Sequence, residues 1–106
     1  NITGGEDANA VALTLTGVFS ADDEKEMFLG LRTCNDLNYN LLQVKLYIDS
    51  DSDLIIASEF FYQTPEDMEY LLNMSLQSVI VAKRRFTQKY RELEEEAKLI
   101  SELEQE

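Results

Sequence analysis

Few residues of this chain have side chains that could do chemistry. The chain has one cysteine, Cys34, and no histidine, so it lacks the commonest general base and the commonest neutral metal ligand. It also has no Cys-x-x-Cys pair and no glycine-rich phosphate loop. Cys34 lies on the apolar side of a predicted helix, which favours a small buried residue over a reactive thiol. We therefore expect no catalytic residues, no metal and no cofactor.

Three aspartates have the spacing that opens a calcium-binding loop. Asp49, Asp51 and Asp53 alternate along the chain, as the first oxygen ligands of an EF-hand loop do. The sixth position of that loop requires glycine and the twelfth a glutamate, but these positions are Leu54 and Phe60. The run therefore predicts a solvated hairpin turn.

One more carboxylate occupies a position where it could act. Glu59 lies in the middle of a predicted strand, and we expect it to reach solvent or to pair across the sheet with Lys45. A second interpretation treats the chain as an enzyme or a small-ligand domain, with a pocket between helix and sheet lined by Glu59, Phe60 and Tyr62. A lone acid without a second titratable partner is weak support for that chemistry.

The elements that must position these residues follow from hydrophobic periodicity. Alternating apolar and polar residues predict strands over residues 11–19, 42–48 and 54–62. Because the polar run 50–53 separates the last two strands, it predicts an antiparallel hairpin between them. Three further acids, at positions 22–24, suit the first turn of a helix that begins at Ser20. Its expected buried stripe is Met27, Phe28, Leu31 and Cys34, and its expected end lies at residues 35–38.

The strongest local signal in the sequence opens a second helix. Thr64 suits the cap position, Pro65 suits the first helical position, and two acids follow in the first turn. No proline or glycine occurs after Pro65, so the helix is predicted to run to about Leu103, roughly 58 Å at ~1.5 Å per residue. The apolar residues expected to cover the sheet are Met68, Leu71, Leu72, Leu76, Val79 and Ile80.

Together these elements predict one domain over residues 1–106. The expected fold class is α+β, an antiparallel sheet packed against helices with a long C-terminal helix. A domain of ~100 residues has a radius of gyration of only ~13 Å, so residues 91–106 are expected to project as a helical extension. The chain begins with Asn1 rather than Met, which keeps open a third interpretation, a fragment of a larger assembly.

The charge balance limits the classes of partner. The chain has 21 acidic and 9 basic residues and a net charge of −12, so it repels nucleic acids and anionic membrane surfaces. A single cysteine and the absence of a long apolar run favour the cytoplasm. Five of the basic residues nevertheless form a local belt that suits an acidic protein surface, including a second copy of the chain: Lys83, Arg84, Arg85, Lys89 and Arg91.

Apolar residues on the last part of the long helix predict a protein contact. Phe86, Tyr90, Leu93 and Ile100 form a seam beyond the core that a domain of this size can offer. We predict that this seam and the basic residues Lys83, Arg84 and Arg85 bind protein, most simply in a homodimer. The expected function is that of a non-enzymatic protein-binding module, with an unidentified protein partner.

Five short segments occur in a fixed order across most of residues 10–90. They are residues 13–19, 34–35, 44–49, 53–56 and 64–67. This arrangement resembles the YbjN family of bacterial sensory transduction regulators, whose fold is similar to that of the chaperones of type III secretion. The resemblance implies a non-catalytic cytoplasmic protein that regulates or chaperones by contact, through a sheet surface that receives an extended partner segment. It supplies no catalytic residues.

Overall fold

The chain forms a four-stranded antiparallel sheet and two helices. The computed structural model describes residues 2–4 and 9–105. The elements in chain order are β1 (Ile2–Gly4), β2 (Ala10–Leu15), α1 (Glu24–Asn40), β3 (Lys45–Ile48), β4 (Leu54–Phe61) and α2 (Pro65–Glu104). The strand order is β1-β2-β4-β3, and every pair is antiparallel. The predicted α+β class is confirmed, although the sequence does not predict β1.

Both helices pack on one face of the sheet. Leu54, Ile56 and Ser58 alternate along β4 and are buried, and Leu46 of β3 lies opposite Ile56 in the register. Side chains directly opposite each other in a sheet share a face, so these residues form one inner surface. The core cluster joins this surface to both helices and consists of Cys34, Leu37, Leu46, Leu54, Ile56, Val79, Ala82 and Phe86.

The turn between β3 and β4 is built by one aspartate. The Asp49 carboxylate accepts hydrogen bonds from the backbone N–H of Asp51 at 2.9 Å and of Asp53 at 3.0 Å. Ser52 has a φ of 67°, which completes a tight reversal in the left-handed region. The predicted antiparallel hairpin and its turn are confirmed, although β3 begins at Lys45 rather than at residue 42. The strand predicted over residues 11–19 ends at Leu15.

Helix α1 starts and ends later than predicted. Its cap is Asp23, whose carboxylate accepts from the N–H of Glu26 at 2.8 Å, whereas the Ser20 hydroxyl donates to the Asp53 carboxylate at 2.7 Å. The helix continues to Asn40, and the N–H of its cap residue Leu41 donates to the carbonyl of Leu37. The expected start at Ser20 and the expected end at residues 35–38 were wrong, because the side chains of Ser20 and Asn38 make tertiary hydrogen bonds to Asp53 and Leu46 instead.

The buried face of α1 also differs from the predicted stripe. Only Cys34 of that stripe is fully buried, and Phe28 and Leu31 are 65% and 51% exposed. The helix instead buries Leu29, Gly30, Thr33, Cys34 and Leu37. Gly30 permits close approach, since a Cβ there would lie 2.8 Å from Ile48 Cδ1, and the Thr33 hydroxyl donates to the carbonyl of Leu29. A stripe read from apolar residue types alone cannot include these two positions.

Helix α2 begins as predicted. The Thr64 hydroxyl accepts from the N–H of Asp67 at 3.1 Å, and Pro65 opens the helix. The helix has 40 residues, and the longest dimension of the structure is 63 Å. Within the predicted extension 91–106, Leu93 is only 3% exposed, whereas the exposed apolar side chains lie further on, at Leu99, Ile100 and Leu103.

The sheet-facing side of α2 is partly polar. Ser75 is buried, and the Ser58 hydroxyl of β4 donates to the Ser75 hydroxyl at 3.0 Å. Leu76 and Ile80, which were expected to cover the sheet, are 47% and 40% exposed. The predicted stripe is therefore wrong at these two positions, because the serine pair allows α2 to place Ser75 on the sheet instead.

Candidate protein-contact surfaces

The predicted seam on α2 is largely covered by the chain itself. Phe86 is 1% exposed and Leu93 is 3% exposed. The ring of Phe86 lies 5.2 Å from that of Phe19, which precedes α1, and 5.9 Å from that of Tyr90. The expectation that Phe86 and Leu93 lack a partner within the fold was therefore wrong, because both side chains are buried and Phe19, between β2 and α1, packs against Phe86.

Tyr90 lies at the margin of this aromatic cluster and is half-buried. Within the described part of the chain its hydroxyl is buried without a hydrogen-bond partner. Burial raises the pKa of the Tyr90 phenol, and the carboxylates of Glu26, Glu94 and Asp23 raise it further. A cleft of about 240 Å³ opens beside it. Two of the three carboxylates belong to the start of α1, which places that end of α1 beside Tyr90.

The basic residues lie on a different side of α2. Lys83, Arg84 and Arg85 are exposed, and none of them takes part in an ion pair within residues 9–105. Phe86 faces the core, so the structure does not bring all the predicted site residues together. The interaction role of Tyr90, Ile100, Lys83, Arg84 and Arg85 stays a prediction.

The outer face of α2 is a surface that the sequence reasoning missed. Residues 70–82 contain no charged residue, and large apolar side chains point away from the sheet beside the exposed amides of Asn73 and Gln77. Tyr70, Leu76, Ile80 and Val81 are 65%, 47%, 40% and 44% exposed. Large apolar side chains that are exposed together commonly mark a contact surface. The sequence feature that could have indicated this surface is the run of thirteen uncharged residues at 70–82, in a chain of which 28% of the residues are charged.

The face of the sheet opposite the helices is a second apolar surface. Ile55, Ala57, Glu59 and Phe61 alternate along β4 on this open sheet face, where Ala57 is only 2% exposed. Tyr47 lies opposite Ile55 in the register; it is 43% exposed, and Phe61 is 77% exposed. The solvated face of an antiparallel sheet is commonly polar, whereas here exposed aromatic residues lie on the same face as the charged side chains of Lys45 and Glu59.

The charged residues of the open sheet face form the predicted pair. Lys45 Nζ lies 2.7 Å from Glu59 Oε1, and both side chains are more than half exposed. The expected cross-strand pair is confirmed. Phe60 follows Glu59 in the strand and therefore points to the opposite face. The sheet therefore separates Glu59 from Phe60, although both were predicted to line one ligand pocket together with Tyr62.

The remaining chemical candidates have structural roles. Cys34 is 4% exposed, and burial raises the pKa of its thiol from 9.0 to about 11, although a backbone hydrogen bond acts in the opposite direction. The prediction of a buried thiol is confirmed. Among the residues that the structure describes, no group of three or more cysteine, aspartate or glutamate side chains could hold a metal ion.

None of the helices within the described ranges has the length and apolar character needed to cross a bilayer.

Comparison of the chain with protein-family models, with curated proteins and with solved structures finds no match.

Proposed function

We propose that this chain is a non-enzymatic protein-binding module that regulates or chaperones its partner by contact in the cytoplasm. Its resemblance to the YbjN regulators and to the secretion chaperones is part of this proposal, as is a homodimer. The charge balance supports a protein partner over nucleic acid or anionic membrane, because a net charge of −12 repels both.

The open sheet face carries this proposal. Its apolar side chains lie between Ile55 and Phe61, a distance of about 20 Å at ~3.3 Å per residue, and the exposed Lys45–Glu59 ion pair lies among them. Tyr47, opposite Ile55, and Phe61 are the exposed aromatic residues near the two ends of this stretch. A sheet face with exposed aromatic residues beside one ion pair suits an extended partner segment or an apolar helix face.

A capture experiment with surface variants tests the proposal. Tyr47→Lys combined with Phe61→Lys adds two charges to the open sheet face without removing a core side chain, since both residues are exposed. The matched control is Tyr39→Lys, because Tyr39 of α1 is 89% exposed and lies away from the sheet. We expect wild type and the control to capture one defined protein from the native cell in a stoichiometric amount, and the double variant to lose it.

Two results would contradict the proposal. One is equal capture by the double variant and by wild type, which would place any contact elsewhere. The other is a metabolite that raises the melting temperature of the wild-type chain in a saturable way, together with turnover that one substitution abolishes. That outcome would favour the enzyme or ligand-binding interpretation.

A further inference from the structure

The outer face of α2 presents one line of exposed side chains that a second helix could contact. Its residues follow one another in alternating steps of four and three, and all of them are exposed: Glu66, Tyr70, Asn73, Gln77, Ile80 and Arg84. Steps of four and three average 3.5 residues, the repeat that keeps one line of side chains facing a partner helix. The line lies on the side of α2 opposite buried Ser75, Val79 and Ala82.

The order of residues along this seam is self-complementary. Counted along α2 the seam is centred at position 75, although Ser75 itself faces the sheet, and Glu66 and Arg84 lie nine residues before and after this position. Tyr70 and Ile80 lie five residues from the midpoint, and Asn73 and Gln77 lie two residues from it. Two antiparallel copies therefore place an acid against a base, an aromatic against an aliphatic residue, and an amide against an amide.

The residues that flank the seam match in the same arrangement. In antiparallel helix pairs, the flanking positions on one side meet their equivalents on the same side of the partner helix. This pairing places Leu76 against Leu76 and Met74 against Met74 of the second copy, across the axis. It also places Glu69 beside Lys83 of the second copy, a second ion pair at each end.

A parallel arrangement lacks this complementarity. It would place Glu66 beside Glu66 and Arg84 beside Arg84, and like charges at an interface oppose binding. A pair of polar residues within a seam also fixes the register in which two helices pair. In this seam the pair consists of the side-chain amides of Asn73 and Gln77. Within residues 9–105, neither Glu66 nor Arg84 has an ion-pair partner in its own chain.

We propose that two copies of this chain pair through the outer faces of α2, with the helices antiparallel and the twofold axis level with Ser75. This pairing specifies the homodimer included in the proposed function and leaves the open sheet face free for a different protein. It buries the charge-free run 70–82 and ends at both sides in ion pairs. A groove of about 250 Å³ along the same side of α2, lined partly by Leu42, Met74 and Val81, extends the apolar surface that the second copy can contact.

Charge-reversal variants test both the contact and its direction. The acid-end variant is Glu66→Lys with Glu69→Lys, and the base-end variant is Lys83→Glu with Arg84→Glu. We expect wild type to form a dimer in sedimentation equilibrium, and each variant alone to dimerise at least about tenfold more weakly, because each creates like-charge pairs at both ends. A 1:1 mixture should regain the dimer, since every altered residue then faces an opposite charge.

The mixture also shows that the variants are folded, because an unfolded chain could not restore the contact. The matched control is Arg91→Glu with Lys98→Glu, which reverses two charges of α2 outside the paired stretch and should leave the dimer unchanged. A wild-type chain that stays monomeric up to millimolar concentration would overturn the proposal. So would a dimer that the mixture fails to restore, because this result would place the contact on another surface or in another direction.

A cysteine cross-link locates the axis independently. Leu76→Cys should form an intermolecular disulfide on mild oxidation, because the two copies of residue 76 meet across the axis. Ser101→Cys should not, since the proposed pair places the two copies of residue 101 at opposite ends. Cys34 is buried and does not compete. Efficient cross-linking at position 101 and none at 76 would overturn the pairing while leaving the capture test of the sheet face unaffected.

Discussion

The side chain of Asn38 pairs with both backbone polar groups of Leu46. Its Nδ2 donates to the Leu46 carbonyl at 2.8 Å, and its Oδ1 accepts from the Leu46 N–H at 2.8 Å. Leu46 belongs to β3, an edge strand of the sheet, so these bonds replace the ones that a neighbouring strand would form. An edge strand with unpaired backbone groups can pair with another chain and aggregate. The Asn38 side chain prevents such pairing at Leu46, because it already bonds both backbone groups of that residue.

Replacement of Asn38 by alanine should therefore destabilise the fold. The change leaves the Leu46 N–H and carbonyl without partners, and we expect a loss of about 1–3 kcal/mol in the free energy of unfolding. Urea unfolding at a fixed protein concentration measures this loss. Asn35→Ala is the matched control, because Asn35 is an exposed residue of the same helix. Equal stability of the two variants would show that the edge bonds contribute little.

The buried hydroxyl pair between Ser58 and Ser75 should be strongly coupled. Ser58→Ala or Ser75→Ala alone leaves one buried hydroxyl without a partner, at a cost of about 1–3 kcal/mol, whereas removal of both can be nearly neutral. A double-mutant cycle measured by urea unfolding gives the coupling energy directly. Additive losses in the double variant would contradict the hydrogen bond as the link between α2 and β4.

Alanine substitutions along α2 should distinguish buried side chains from exposed ones by their effect on stability. Phe86→Ala should destabilise the chain by about 3–5 kcal/mol and Leu93→Ala by about 2–5 kcal/mol, because both side chains are buried. Ile100→Ala, at a residue that is 49% exposed, should change stability by less than about 0.5 kcal/mol. Similar small effects at all three positions would support the uncovered seam that the sequence predicts.

Alkaline pH should destabilise the fold through Cys34. The pKa of the buried thiol is raised from 9.0 to about 11, so between these values the native chain holds a proton that the unfolded chain releases. The stability that this proton contributes is complete below pH 9 and is lost as the pH rises towards 11, by about 2–3 kcal/mol. Urea unfolding at a series of pH values measures the slope.

A Cys34→Ala variant isolates the contribution of the thiol. The variant should be less stable at every pH because a buried group is removed, but its stability should fall less steeply between pH 9 and pH 11. The raised pKa of Tyr90 acts in the same direction and remains in both proteins, so the difference between the two slopes reports Cys34 alone. Identical slopes would contradict burial of the thiol.

Local signals were sufficient for much of the fold. The cap at Thr64 and Pro65 and the length of α2 depend on residues within one or two turns. The β3–β4 hairpin follows from strict alternation and a polar turn, and the Lys45–Glu59 pair follows from strand register. These predictions succeeded because the interactions that determine them lie close together in sequence or repeat with a fixed period.

The sequence by itself determined the α+β class, the long helix and the lack of charge along residues 70–82. Only the tertiary structure decided that Phe86 and Leu93 are buried, that Gly30 and Thr33 face the core, and that Asn38 closes the edge of the sheet. Each of these outcomes depends on segments far apart in the chain. Hydrophobic periodicity reports that one side of a helix is apolar, but only the packed chain shows which side is covered and which side is left for a partner.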